Sequence, residues 1–421
     1  MTALHHERPH QEQDRPARGI RRTFASLRHR NFRLLWFGTT VSHSGDWMDQ
    51  IALNWLVYEI TQSAVALGIM NAVRMLPILL FTLIGGVVAD RWPRRHLLFT
   101  TQAISMILAF ILAIVVSTGV VEFWMVLIIA FGRGVTMSFN QPARQSLISD
   151  LVPRADLMNA VALNAATNNS TRVIGPAIGG ILIATIGVAG AFYVNAFSFV
   201  AVLGALLLMQ IPPQTKRIHK SMLDDLTSGM RYIVSKPDIR ALVLLALIPM
   251  VFGMPYMSML TVFAKDVLLV GSEGLGFLTA CTGLGAVGGA LLVASLGMQR
   301  GRRRLMLLGL VGFGVTLTVF ALSPWLWLSA LAVLAVGACK QLYNALNNSL
   351  IQESVDDEYR GRVLSTLFLD RAAVPLGTML AGVGTSLIGA PITIALMGGT
   401  LIVLALTARF FMLPAPERAQ T

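Results

Sequence analysis

The sequence between the second and third long apolar segments reads Gly86-Val87-Val88-Ala89-Asp90-Arg91-Trp92-Pro93-Arg94-Arg95. It predicts a short loop on one face of a membrane, between the end of one spanning helix and the start of the next. Gly86 would let the first helix approach a neighbour closely. Asp90 lies where its carboxylate can pair with an arginine or meet a helix N-terminus, so the loop is a candidate latch between two conformations. An ordinary basic loop would explain the arginines but not the spacing of Gly86 and Asp90.

The composition around this loop makes lipid the solvent for most of the chain. Of the 421 residues, 55% are hydrophobic and 13% are charged, whereas a soluble domain carries about 25% charge. This excludes a soluble enzyme, a disordered chain and a disulfide-rich secreted domain. Residues 1–30 contain no long apolar run, so we expect no signal peptide and expect the first span to direct insertion.

Twelve apolar stretches are long enough to cross a bilayer, which requires about 20 residues. They are 32–57, 65–89, 96–118, 122–142, 159–186, 188–210, 239–264, 273–297, 304–323, 325–349, 361–388 and 390–413. The predicted fold is an all-α membrane protein with twelve transmembrane helices in two pseudo-symmetric six-helix bundles. The predicted segments are a basic tail (1–30), a first bundle (31–210), a linker (211–238), a second bundle (239–413) and a tail (414–421). Within the linker, residues 221–235 have the periodicity of a helix lying along the membrane surface.

The net charge of +12 is explained by orientation. Of the 33 Lys and Arg residues, five lie in the middle of predicted spans, and Lys265 falls in the loops of the face opposite the termini. All the others share the face that carries both termini, which predicts that this face is cytoplasmic. Nucleic-acid binding is the competing explanation of the charge, and topology makes it unnecessary.

The two halves of the chain repeat each other. Residues 146–152 after the fourth span resemble residues 349–355 after the tenth, and Arg172-x-x-x-Pro176 recurs as Arg371-x-x-x-Pro375. Two similar six-helix halves with a site between them are typical of transporters.

The loop at 86–95 resembles G-x-x-x-D-R-x-G-R-R, the hallmark of the major facilitator superfamily. The match covers Gly86, Asp90, Arg91, Arg94 and Arg95, and it departs at Pro93, where the family usually has glycine. The equivalent loop of the second half, residues 294–303, keeps the basic end and lacks the acid. The resemblance implies that this loop gates the cytoplasmic side.

A second motif lies in the fifth span. Gly175, Pro176, Gly179 and Gly180 resemble the G-P-x-x-G-G core of the antiporter branch of the superfamily, while Thr171 replaces an upstream glycine. A kinked helix that merely packs closely is the alternative.

The wider sequence is similar to bacterial twelve-helix drug and siderophore exporters, a group with macrolide efflux pumps and the enterobactin exporter. The segments that carry this similarity are Asn31–Trp36, Asn140–Gln145 and Arg360–Val363. The similarity implies outward transport driven by the proton gradient, in exchange for a small molecule, across the bacterial inner membrane.

Ionisable residues inside the bilayer are the candidate coupling groups, because they are costly there and face a cavity or a partner. His43, Asp46 and Asp49 lie in the first span, with Asp46 about 20 Å from its cytoplasmic end. A carboxyl group removed from bulk water is a candidate proton carrier, and a carboxylate held permanently by an arginine is the alternative. We expect a packing role for His43.

Cations outnumber acids in the predicted spans. Arg133 in the fourth span lies near the position of an arginine that the family couples to protonation, so the resemblance implies that it approaches Asp46. The remaining cavity or ion-pair candidates are Arg74, Arg172, Lys340, Asp370 and Arg371. The excess of positive charge favours an anionic or zwitterionic substrate. Trp47, Trp55, Tyr58 and Tyr343 are candidates for stacking on a substrate, with membrane anchoring or packing as the alternative for Trp55 and Tyr58.

The expected partners are a small-molecule substrate, protons and membrane lipid, without nucleic acid, cofactor or metal. Cys281 and Cys339 lack metal-ligand spacing and are expected to be small buried hydrophobic residues. A monomer is expected, although the sequence leaves the oligomeric state open. The alternatives to an exporter are a lysophospholipid flippase or an importer of the same fold. A membrane sensor or an embedded enzyme is the less favoured alternative.

Overall fold

The computed structural model describes residues 24–210, 222–296, 301–356, 359, 363 and 373–412, and across these ranges it holds helices and no β-strand. The first part of the chain contains α1 (Arg30–Thr61), α2 (Ala64–Arg91), α3 (Arg94–Ser117), α4 (Phe123–Leu151) and α5 (Arg154–Leu208). The second part contains α6 (Met222–Ser235), α7 (Pro237–Ile248), α8 (Tyr256–Val262), α9 (Gly271–Leu296), α10 (Arg302–Leu322), α11 (Leu326–Ser354), α12 (Ala373–Ile388) and α13 (Ala390–Met412). Two π-helical turns, Pro249–Gly253 and Phe263–Val267, flank α8.

The helices have the length and composition that a bilayer requires. Within the described residues, nine helices are long and apolar enough to cross a membrane. Their outer faces carry large apolar side chains, and Ile128, Phe197 and Leu291 are each more than 60% exposed. This pattern suits lipid as the solvent, since backbone polar groups are satisfied inside the helices. The predicted all-α membrane fold is confirmed, and the number of twelve spans stays a prediction.

One helix contains the turn between two predicted spans. Gly187 in α5 has φ 75° and ψ 174°, a conformation outside the helical region that a residue with a side chain rarely adopts. The break separates a first arm (154–186) from a second arm (188–208). These arms correspond to the fifth and sixth predicted spans.

Packing follows the order of the chain within each half. In the first half, α1 packs along α5, α2 packs on α4, and α3 packs on α4 and α5. In the second half, α11 packs on α9 and α10, and α10 also packs on α13. The most extensive contacts between the halves are those of α5 with α9 and of α2 with α12.

The two halves come closest near one face of the molecule. We call the face with the start of α1 the terminus face and the opposite one the far face. A Cβ on Gly180 of α5 would lie 2.5 Å from the carbonyl oxygen of Ser272, and one on Gly68 of α2 would lie 2.8 Å from that of Thr378. Small residues thus let the backbones of the two halves touch in the far-face part of the bundle.

The predicted end of the fourth span differs from the structure. The fourth span was expected to end at 142, but α4 continues to Leu151 with Pro142 inside it. Apolar side chains at Ala143, Leu147 and Ile148 are buried and extend the helical face past the proline. The predicted linker holds α6, where the Tyr232 ring stacks on Tyr359 at 4.4 Å, so this helix docks on the second half.

Candidate functional site

A cluster of charged side chains lies inside the first half, where α1 meets α4, α2 and the second arm of α5. Helical spacing places Asp46, Asp49 and Gln50 on one side of α1. Arg133 reaches the cluster from α4, and Arg74 reaches it from α2. The predicted approach of Arg133 to Asp46 is therefore present in the structure.

The inner part of this cluster is sealed from solvent. The Asp49 side chain has no exposed surface and is ion-paired with Arg133, whose side chain is 6% exposed. The Asn195 amide donates a hydrogen bond of 3.1 Å to Asp49 Oδ1. A buried carboxylate with a charged and a polar partner has the arrangement of a structural ion pair, because each partner compensates for the loss of water.

The outer part of the cluster remains open. Asp46 is 40% exposed, and its Oδ1 lies 3.6 Å from Arg133 Nη2. The His43 Nδ1 lies 3.9 Å from the other Asp46 oxygen. Arg133 therefore pairs with two acids, closely with Asp49 and at a longer distance with Asp46. Of the two acids, Asp46 is the one that water can reach.

Two further cations surround these acids. Arg74 donates a hydrogen bond of 2.7 Å to Gln50 Oε1 and is within electrostatic range of both acids. Arg144, 6% exposed, is within range of Asp46. The sequence reasoning missed Arg144, because it placed this residue in a loop after Pro142. The periodic apolar residues that continue past the proline were the signal that could have found it.

A second group of charges lies between the halves. Arg172 of the first arm of α5 places its guanidinium carbon 5.3 Å from the centre of the Trp47 ring. Lys340 of α11 is within electrostatic range of Arg172. The other two candidates, Asp370 and Arg371, lie outside the described residues.

The glycines of the second motif pack α5 against both halves. A Cβ on Gly175 would lie 2.5 Å from Trp47 Cβ, and one on Gly179 would lie 3.1 Å from Met48 Cα. On the other side, a Cβ on Gly180 would lie 2.9 Å from Gly276 Cα of α9. The motif, with Pro176 inside the helix, therefore lies where α5 passes between α1 and the second half.

The loop motif makes its described contacts within the first half. Arg94 is ion-paired with Asp150 at the end of α4. Arg95 donates hydrogen bonds of 2.7 and 3.0 Å to the carbonyl oxygens of Leu206 and Leu207 at the end of α5. These side chains fix the loop to its own half, and a latch to the second half stays a prediction.

The other members of the loop motif have fewer described contacts. Arg91 is exposed at the end of α2, and the side chain of Asp90 lies outside the part that the structure describes. Next to Gly86, a Cβ on Gly85 would lie 2.3 Å from the carbonyl oxygen of Ser138, so α2 approaches α4 closely beside the motif. The close approach expected of Gly86 itself stays a prediction.

A polar contact joins the halves at the far face. The Tyr58 hydroxyl at the end of α1 donates a short hydrogen bond to Asp266. The Lys265 ammonium lies 5.7 Å from the ring centres of both Trp55 and Tyr58. Lys265 was expected in a loop, but it lies in the π-helical turn after α8. The aromatic residues hold a side chain of the other half here, so contact between the halves is their observed role.

The remaining aromatic candidate has a packing role. Tyr343 is 1% exposed, and its hydroxyl donates a hydrogen bond of 2.7 Å to the carbonyl oxygen of Leu245. The prediction that Tyr343 stacks on a substrate is not supported by this position. Trp47 is partly exposed, and its ring contacts the Arg172 guanidinium between the halves.

Known proteins resemble most of the chain. The family model for transmembrane secretion effectors matches residues 21–421. A staphyloferrin A transporter of Staphylococcus aureus is 28% identical over 87% of this chain and 92% of its own length. The multidrug efflux pump Tap of Mycolicibacterium fortuitum is 28% identical over 83% and 88%. Macrolide efflux protein A of Streptococcus pyogenes is 24% identical over 88% and 93%.

Solved structures share the fold at low sequence identity. A bacterial homologue of the human lysosomal transporter Spinster, inward-facing and unoccupied, matches with a TM-score of 0.70 at 16% identity. That match covers 94% of this chain and 98% of the other. The nucleoside transporter NupG matches with a TM-score of 0.71 at 14% identity, over 91% of this chain and 100% of the other. These likenesses concern the fold alone.

Proposed function

Because this chain belongs to the transmembrane secretion effector family of the major facilitator superfamily, and is thus a transporter and not an enzyme, we propose that it is a proton-coupled antiporter. It exports a small molecule across the bacterial inner membrane by alternating access. Its relatives include a siderophore transporter, a multidrug efflux pump and a macrolide efflux protein, and these names favour export of a drug, siderophore or other secondary metabolite.

The observation that carries the coupling proposal is the unequal pair of acids around Arg133. Asp49 is sealed and holds one side of the guanidinium, whereas Asp46 is open and lies 3.6 Å from the other side. A proton arriving from water can neutralise Asp46 without unfolding the cluster. Neutral Asp46 loses its attraction to Arg133, while Asp49 keeps the arginine in place. Protonation then changes the charge of α1 relative to α4, which can bias two arrangements of these helices.

The contacts between the halves support alternating access. The far-face part of the bundle is closed by Gly180 against α9, by Gly68 against α12 and by the bond from Tyr58 to Asp266. These contacts must separate for a substrate to leave through the far face. In the proposed cycle, substrate enters from the cytoplasmic terminus face, and the loop at 86–95 closes that face once the far face opens.

The cytoplasmic position of the terminus face rests on the distribution of charge. Basic residues accumulate in the tail 1–30, the loop at 86–95, the linker 211–238 and the loop at 294–303. Lys and Arg are retained on the cytoplasmic side of bacterial membranes. The proposed division into bundles at 31–210 and 239–413 rests on the same topology.

Uptake into everted membrane vesicles tests the proposal. A proton gradient should drive accumulation of at least one of three probes: carboxyfluorescein, rhodamine or a labelled macrolide. Asp46→Asn should abolish gradient-driven accumulation and retain exchange of labelled for unlabelled probe, because only the proton step is removed. Glu59→Gln is the matched control, since Glu59 is an exposed acid of the same helix. Full accumulation by Asp46→Asn would refute the assignment, and uptake that ignores the gradient would favour the flippase or importer alternative.

A further inference from the structure

A small cavity in the first half carries an inference that goes beyond the proposed transport and does not depend on it. The cavity lies between α1, α4 and the first arm of α5, and its polar lining consists of Trp36, Thr39, Arg144 and Asn164. Trp36 lies near the start of α1, and Arg144 lies near the end of α4. At 1.5 Å per residue, the cavity is about 10 Å inside the terminus face, a depth that ions from that side can reach.

Arg144 brings a positive charge and an unpartnered donor to this cavity. It is 6% exposed, and among the described residues its Nε–H has no hydrogen-bond acceptor. The acid within electrostatic range is Asp46, whose carboxylate already lies 3.6 Å from Arg133 Nη2. A buried donor without an acceptor loses its hydration and gains nothing in return. An acceptor placed in the cavity would remove this cost.

The Trp36 indole supplies a second donor from another helix. Its Nε1–H is buried and also lacks an acceptor in the part of the chain that the structure describes. An indole nitrogen can donate but cannot accept. Thr39 does not meet this need, because its hydroxyl donates to the carbonyl oxygens of Leu35 and Trp36 at 2.7 and 3.1 Å. Two N–H groups, one from α1 and one from α4, therefore line the same cavity and both require an acceptor.

The charge of the surroundings selects an anion. None of the described residues that line the cavity carries a carboxylate, so a cation would find no partner of opposite charge. The neighbouring charged side chains sum to one positive charge, since the acids Asp46 and Asp49 stand against the cations Arg74, Arg133 and Arg144. A water molecule could satisfy both donors, but only an anion would also balance this excess charge.

The size of the cavity selects an inorganic ion. It has room for roughly one group of the size of a water molecule, which excludes an organic molecule. The apolar walls formed by Phe32, Leu35 and Ile148 suit a weakly hydrated monovalent anion better than a strongly hydrated divalent one.

We propose that chloride binds in this cavity, where it accepts hydrogen bonds from Arg144 Nε and Trp36 Nε1. The bound ion compensates the buried charge of Arg144 and links α1 to α4 near the terminus face. It is a ligand separate from both the proton and the exported molecule.

Thermal unfolding of the purified full chain in detergent, with chloride replacing gluconate at constant ionic strength, tests this proposal. Gluconate is too large for the cavity, and constant ionic strength keeps general screening equal. A ligand that binds the folded chain raises the melting temperature with the logarithm of its concentration above the dissociation constant. We expect this dependence on chloride for the wild type, and we expect Arg144→Gln to remove it.

A milder variant covers the case in which Arg144→Gln does not fold. Trp36→Phe keeps an aromatic ring and removes one donor, so it should weaken the apparent chloride affinity by about threefold to tenfold. Arg154→Gln and Trp325→Phe replace exposed residues of the same types, and these control variants should respond to chloride like the wild type.

Two results would overturn the proposal. The first is a wild-type melting temperature that does not depend on chloride, which would leave water as the ligand of the two donors. The second is a wild-type chloride response in Trp36→Phe or in folded Arg144→Gln. The measurement uses no proton gradient and no transported probe, so its outcome is independent of the transport assays.

Discussion

Replacing Gly276 by alanine should push apart the two halves of the transporter at a contact made by backbone atoms. The added Cβ would lie 2.7 Å from the Pro176 carbonyl oxygen and 3.0 Å from Gly180 Cα. Both distances are shorter than ordinary van der Waals contact. Backbone atoms in the middle of a helix cannot turn aside as a side chain can, so α5 and α9 must separate.

The size of the effect follows from the cost of overpacking. One extra carbon in a close-packed contact costs about 1–3 kcal/mol. This strain applies only while the far face is closed, because opening the far face separates the two glycines. The equilibrium should therefore shift toward the far-face-open state by a factor of about 5–150.

Electron–electron distance measurements can follow this equilibrium. Spin labels at Val120→Cys and Leu269→Cys lie on exposed far-face loops of the two halves, at residues that are 59% and 78% exposed. The native cysteines, Cys281 and Cys339, would be replaced by serine. Gly276→Ala should increase the population of long distances. Gly288→Ala is the matched control in the same helix, because a Cβ there meets nothing within 4 Å. If both variants give the wild-type distribution, the far-face contact of α5 and α9 does not control opening.

Three further predictions concern single contacts. Tyr58→Phe removes the hydrogen bond to Asp266 and should raise the far-face-open population in the same distance assay, whereas Tyr193→Phe, whose hydroxyl bonds to Ser117 within the first half, should not. Asp49→Asn leaves buried Arg133 without its tight partner and should lower the free energy of unfolding by about 3–5 kcal/mol. Asp46→Asn, at the exposed position, should lower it by about 1 kcal/mol or less. Equal melting temperatures of the two variants would contradict the assigned difference in burial. Arg95→Gln removes two hydrogen bonds to the end of α5 and should lower the free energy of unfolding by about 1–3 kcal/mol. An equal loss of stability for the exposed Arg91→Gln would show that these hydrogen bonds are not the cause.

The sequence predicted those features that depend on local pattern. Apolar stretches gave the helices, the glycines of residues 175–180 gave a close packing surface, and spacing in α1 placed Asp46 beside Asp49. These features follow from helical periodicity and from the small size of glycine. The approach of Arg133 to Asp46 came from the resemblance to a family and not from the pattern itself.

Features that depend on distant parts of the chain could not be predicted in this way. Asp49 is sealed because Asn195, which is 146 positions away in sequence, packs against it. The bond from Tyr58 to Asp266 joins residues 208 positions apart. Neither distance leaves a periodic signal in a single sequence. Arg144 was missed for a different reason, since proline was taken as the end of a helix that the apolar face in fact continues.

We propose that Asp46 carries the proton that drives export. This role is tested most directly in proteoliposomes, in weak buffer with a pH electrode, by imposing a gradient of a transported dye and no proton gradient. We expect dye movement to drive protons in the opposite direction through the wild type, and we expect Asp46→Asn to move the dye without moving protons. Dye movement through the wild type without proton counterflow, or an unchanged proton flux in Asp46→Asn, would contradict it.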